Sequence, residues 1–118
     1  RSAADHASFD APVYTYALTE ALPDAALAPL ESFHGLDIVL LFGPRTQAQA
    51  SEQALAARMQ ATWVDFAFGR EPVSSAQLAW PRYRRDSRVT QELNAARTDP
   101  IGDYRCAYCD FWGQYTTL

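Results

Sequence analysis

Phe33-His34-Gly35-Leu36-Asp37-Ile38-Val39-Leu40-Leu41-Phe42-Gly43 is the stretch on which the reading of this chain turns. It sets a lone histidine just ahead of an apolar run, Ile38 to Phe42, which Gly43-Pro44 closes. So short a run carries no usable period, and it reads equally as a buried strand or a buried helix segment. Upstream, Pro12 to Leu18 is rich in β-branched and aromatic residues and apolar on both faces, which predicts a strand in a sheet covered on both sides. Pro23 and Pro29 interrupt the next segment, so Leu22 to Ser32 is expected to be a connection, with one helical turn between the prolines, that delivers the chain to Phe33.

Downstream the pattern is clearer. Leu55, Met59, Thr62, Trp63 and Phe66 form one stripe of an amphipathic helix, predicted over about Gln47 to Phe68. Thr46 with Gln49 makes its candidate capping box, and Gly69 followed by Pro72 makes its stop. Gly69 to about Ser87 reads as a long loop, Val89 to Leu93 as a short edge strand, and Tyr104 to Tyr115 as a closing helix with an aromatic face at Tyr104, Tyr108, Phe111, Trp112 and Tyr115. Two helices and one or two strands cover one side of a sheet without completing a two-layer core. The first residues, Arg1-Ser2-Ala3-Ala4-Asp5, have neither a Met nor the layout of a signal peptide. The expectation is the C-terminal part of a larger α/β domain.

Composition narrows the function classes. The 118 residues are 48% hydrophobic and 20% charged, enough apolar content for a core and too much for a disordered chain. Ten basic residues, all Arg, face 14 acidic ones, a net charge of −4, which argues against a nucleic-acid binder held by phosphate neutralisation. No apolar run approaches the roughly 18 to 20 residues of a membrane span. The cluster Arg82, Arg84, Arg85 and Arg88 is interrupted by Asp86 and reads as a solvated loop with local ion pairs. Trp63, Phe66, Trp80, Phe111 and Trp112 read as core and packing residues, and His6, among Ala, Asp and Ser, as a solvated side chain.

Taken in order, the strand ending at Leu18, Phe33-His34-Gly35-Leu36-Asp37, the run ending Phe42-Gly43, Trp63-Val64-Asp65-Phe66-Ala67, Trp80-Pro81-Arg82-Tyr83 and Cys109-Asp110-Phe111-Trp112 resemble the C-terminal portion of a type-B carboxylesterase. This is the α/β-hydrolase group of cholinesterases and para-nitrobenzyl esterases. The resemblance runs from about Ala11 to Trp112. It implies residues 1–118 as the C-terminal part of a single α/β-hydrolase domain, late sheet strands with covering helices, incomplete without the N-terminal part. It also implies a triad in the chain order Ser, acid, His, with His34 as the last member. An acid follows this histidine at the position of Asp37, usually as Glu, so the hydrogen bond it carries behind the histidine would here fall to the shorter side chain. An extracellular or periplasmic location goes with the same resemblance.

A histidine suits the role because an imidazole, with an ordinary pKa of about 6.5, takes a serine proton near neutral pH and returns it to a leaving alcohol. None of the seven serines lies in Gly-x-Ser-x-Gly, and no two of the five glycines are adjacent. The nucleophile, the triad acid and the oxyanion hole are therefore expected from a larger N-terminal chain of the same gene product, acting on a small-molecule ester without cofactor or metal. Phe33 and Leu36, on either side of His34-Gly35, are candidate contacts for the acyl or alcohol group.

Two other readings stand beside this one. Some members of the superfamily have lost the serine and act as interaction proteins, so a non-catalytic carboxylesterase-like protein is the alternative. Cys106 and Cys109 form Cys-x-x-Cys, readable as a redox pair or half a zinc site, but expected inside the closing helix as buried thiols or one structural bridge. The resemblance additionally matches Cys109 to a cysteine that, in cholinesterase-like members, forms a disulfide to a cysteine upstream of the histidine; Cys106 lies outside that pattern.

Overall fold

A computed structural model describes residues 11–22, 26–43, 49–73 and 79–115. Strand β1 (Tyr16–Leu18) pairs in parallel with β2 (Thr90–Leu93), with Tyr16 opposite Gln91, Ala17 opposite Glu92 and Leu18 opposite Leu93. The short β3 (Pro100–Ile101) runs antiparallel to β2, giving the order β1-β2-β3. Pro100 suits that place, because a residue without an N–H is tolerated at a sheet edge. Parallel strands require a crossover, and the segment between β1 and β2 supplies it with two helices.

The ambiguous run becomes helix α1 (Leu36–Phe42). Leu36 and Leu40, one helical turn apart, point inward with Leu41, while Ile38, Val39 and Phe42 stay exposed. Helix α2 (Ala50–Ala67) follows the predicted stripe, with Leu55, Met59 and Thr62 buried, Trp63 half-buried and Phe66 at its exposed end. Its cap, Gln49 with Glu52, falls three residues later than the expected Thr46 with Gln49. Glu52 accepts a hydrogen bond from the Gln49 backbone N–H at 2.7 Å while the Gln49 side chain receives the N–H of Glu52. Thr46, expected to be part of the cap, and the first predicted turn lie outside the described residues, as does His6. The helix stops at Phe68, and Gly69 takes φ +74, a left-handed value that suits glycine.

Leu36, Leu40 and Leu41 of α1 meet Leu55, Ala56 and Met59 of α2, with Trp80 and Leu93 completing the core. Burying a side chain such as Leu36 or Leu55 stabilises by about 1.5–3 kcal/mol. The loop carrying Trp80 runs beside β1, its indole donating to the Thr15 carbonyl at 3.1 Å and the Tyr83 N–H to the Val13 carbonyl at 2.7 Å.

Two expectations are corrected. The strand near Val89 is central and not an edge, and all four of its residues are buried. Most of its polar groups are partnered: the Gln91 amide nitrogen donates to the carbonyls of Glu92 and Thr98, and the Glu92 carboxylate accepts from Thr19 Oγ1 at 2.6 Å and pairs with Arg97 at 3.2 Å, while Gln91 Oε1 is buried without a partner among the described residues. The closing helix forms as α3 (Cys106–Gly113), but Tyr108, Phe111, Trp112 and Tyr115 stay exposed, with the last three clustered on one another and not in the core. The arginine loop matches its reading, with Arg82 on Glu71, Arg84 on Asp86 and Arg88 on Asp110.

Candidate active site

In sheets with parallel strands, ligands gather outside the carboxyl ends of the strands, where connections leave the sheet. The connection leaving β1 carries Phe33-His34-Gly35. It is tied down at both ends. Ser32 Oγ donates to the carbonyl of Leu18, the last residue of β1, at 2.5 Å. On the far side of the histidine, Asp37 Oδ2 accepts the Tyr16 hydroxyl from β1 at 2.9 Å. Between these ties the backbone turns sharply: the Leu36 N–H reaches the Phe33 carbonyl, and the N–H groups of Ile38 and Val39 both reach the Gly35 carbonyl. Gly35 makes the turn at φ +88, where a side chain would be strained.

His34 stands on this turn, exposed, with its imidazole unbonded among the described residues. No described serine or carboxylate hydrogen-bonds to it. Asp37 does not contact it through a hydrogen bond; its second oxygen accepts from the N–H of Ile38 at 3.0 Å, so the carboxylate caps α1 and grips β1. Leu36 is 0% exposed at the centre of the core, which removes it as a surface for any ligand, and Phe33 is half-buried against the same core. Tyr16, which no sequence pattern singles out, is the residue that couples the strand to the histidine turn. Its partner lies 21 residues away, beyond any local pattern.

Two depressions lie along β1. One, about 540 Å³, lies off the end of β1 between Leu18, Thr19, Glu31, Ser32, Tyr104 and Arg105. The other, about 170 Å³ and largely apolar, is walled by Tyr14, Tyr16, Trp63, Phe66 and Trp80. There Tyr16 meets the rings of Trp63 and Trp80 edge-on, at 5.1 and 6.2 Å. Among the described residues no group of three His, Cys, Asp or Glu side chains could hold a metal ion, and no helix is long and apolar enough to cross a membrane. Cys106 and Cys109 are both free thiols, half-buried and exposed respectively, and they open α3, so the expected burial inside the helix does not hold.

Burial, then the Asp37 hydrogen bond and charge, push the Tyr16 phenol up from 10.0 to about 12. The folded state therefore holds this proton more tightly than the unfolded chain does. Its stabilising contribution is complete below pH 10 and is lost as pH rises from about 10 to 12. The difference in stability between the wild type and Tyr16→Phe, measured by urea denaturation, is expected to shrink across that window. A difference that stays constant to pH 12 would contradict the Tyr16–Asp37 link.

No family model matches the chain, and no curated protein matches it. Solved structures do. A PNB esterase superposes with a TM-score of 0.77 over 92% of this chain, at 22% identity, and a thermophilic PNB esterase with 0.75 over 90%, also at 22% identity. This chain spans only 22% and 23% of those two proteins. With its small mixed sheet, its two-helix crossover and the turn at the end of β1, the chain has the fold of one portion of an α/β-hydrolase.

Proposed function

We propose that this chain is the C-terminal portion of a type-B serine carboxylesterase and supplies its general acid/base, His34. The observation that carries the reading is the position of that side chain: an exposed imidazole, free of described partners, on a pinned turn at the carboxyl end of a parallel strand. The likeness to two esterases over nine-tenths of the chain supports the same class. The remaining parts of the site, a serine nucleophile, a triad acid and an oxyanion hole, belong to the portion of the fold outside residues 1–118, on a larger N-terminal chain of the same gene product. The exposed apolar faces of α1, at Ile38, Val39 and Phe42, and of α3 agree with elements that another layer covers.

His34 would take the proton of the serine hydroxyl as its oxygen attacks the ester carbonyl, then give it to the departing alcohol. The acyl-enzyme so formed is hydrolysed by the reverse proton movements, with water in place of the alcohol. Asp37 serves this chemistry indirectly, by fixing the start of α1 against β1. The triad acid must therefore approach the imidazole from elsewhere.

A fluorophosphonate probe reacts with a serine only where a base activates it. Incubated with the complete protein, it is expected to label one serine outside this chain, and prior treatment with a p-nitrophenyl ester should slow the labelling. An unlabelled protein would overturn the esterase reading in favour of a carboxylesterase-like interaction protein.

A further inference from the structure

Cys106 and Cys109 take no part in the esterase reading, yet the structure places them together. They occupy the first turn of α3, three positions apart, and neither is bridged. On a regular helix such residues have Cβ atoms about 5–6 Å apart, slightly too far for a disulfide, which needs about 3.5–4.5 Å. The Arg105 carbonyl receives both the Tyr108 N–H, at 3.1 Å, and the Cys109 N–H, at 3.3 Å, the shared bonding common at a helix end, which fixes the start of this turn. The Cα atoms of residues three apart on a helix are about 5 Å apart, inside the roughly 4.4–6.8 Å of bridged pairs, so closing the bond needs only a small shift of this first turn.

The turn is also anchored beside one of its cysteines. The Arg88 guanidinium grips both oxygens of Asp110, at 2.9 and 3.0 Å, and so ties the residue after Cys109 to the loop before β2. The inner thiol, on Cys106, is half-buried, while the outer one, on Cys109, is exposed.

We propose that Cys106 and Cys109 form a thiol–disulfide site that exchanges with small disulfides of the glutathione type, Cys109 reacting first and Cys106 resolving. The thiolate of Cys109 attacks one sulfur of the small disulfide; its S–S bond breaks, a protein–glutathione bond forms, and one thiolate departs to be protonated by solvent. Cys106 then attacks the Cys109 sulfur, closes the Cys106–Cys109 bond and expels the second thiolate, which is protonated likewise. Two protein thiols lose two electrons and two protons, and the small disulfide gains both to become two thiols. Access sets the order, because the exposed thiol meets the reagent first.

The test equilibrates the complete protein in glutathione buffers from reducing to oxidising, blocks free thiols with iodoacetamide and maps the peptides by mass. Both cysteines are expected to lose alkylation together, with loss of the mass of two hydrogens, and to recover it in dithiothreitol. Cys106→Ser should instead accumulate a glutathione adduct on Cys109, and Cys109→Ser should take up glutathione at least about tenfold more slowly than Cys106→Ser. Alkylation unchanged across the buffers would overturn the proposal. So would a lasting glutathione adduct on wild-type Cys109, or a bridge from Cys109 to a cysteine outside residues 1–118. Each of these readouts is independent of ester hydrolysis, so the result does not depend on the role of His34.

Discussion

Replacing His34 by Gln in the complete protein is expected to lower kcat/KM for a p-nitrophenyl ester by about 10⁴-fold or more. Glutamine keeps a polar group of similar reach but cannot take up and return a proton. Triad members act as a unit, so losing the base alone removes nearly all of the triad's contribution. The loss should appear in kcat as well as in kcat/KM, because proton transfer belongs to the transition state and not to ground-state binding. Stability should barely move. His34 is exposed and without a described partner, and changes at such positions stay within about 0.5 kcal/mol. Near-normal hydrolysis by a folded His34→Gln variant would end the assignment.

The opposite profile is expected two residues further on. Leu36 is fully buried where α1 meets α2, and Leu36→Ala should cost about 2–5 kcal/mol, the lost transfer energy plus the cavity left among Leu40, Leu55 and Met59. Thermal denaturation of the complete protein reads the change as a lower Tm. Activity at temperatures well below that Tm should fall far less than for His34→Gln, since Leu36 reaches the reaction only through the start of α1. A cost below about 1 kcal/mol would mean that Leu36 is not the core residue described, and would return it to the substrate surface. The pair of variants therefore separates the chemical role of one residue from the packing role of its neighbour.

How far the sequence disclosed each element depended on how much of its signal was periodic. The stripe from Leu55 to Phe66 spans three turns, and α2 formed where it predicted. Ile38 to Phe42 is uninterrupted and apolar, and only the packing of Leu36, Leu40 and Leu41 against α2 resolved it as helix. Thr90-Gln91-Glu92-Leu93 looks like an edge because it is polar; it sits centrally with the Gln91 amide nitrogen and the Glu92 carboxylate partnered inside the fold. The aromatic face of α3 was legible as a stripe, yet no periodicity tells which layer a stripe will meet. For the site, motif order singled out His34, while the Tyr16–Asp37 and Ser32–Leu18 ties join residues that share no local pattern.

Those two ties have an energetic consequence. A segment held at both ends to one strand has already surrendered most of the wandering open to a surface loop, and it did so on folding, not on meeting a substrate. In the role proposed for it, the imidazole would meet a serine hydroxyl at a high effective molarity, because little orientational freedom is left to lose during the reaction. Cutting either tie would make the same histidine chemically intact and kinetically dilute.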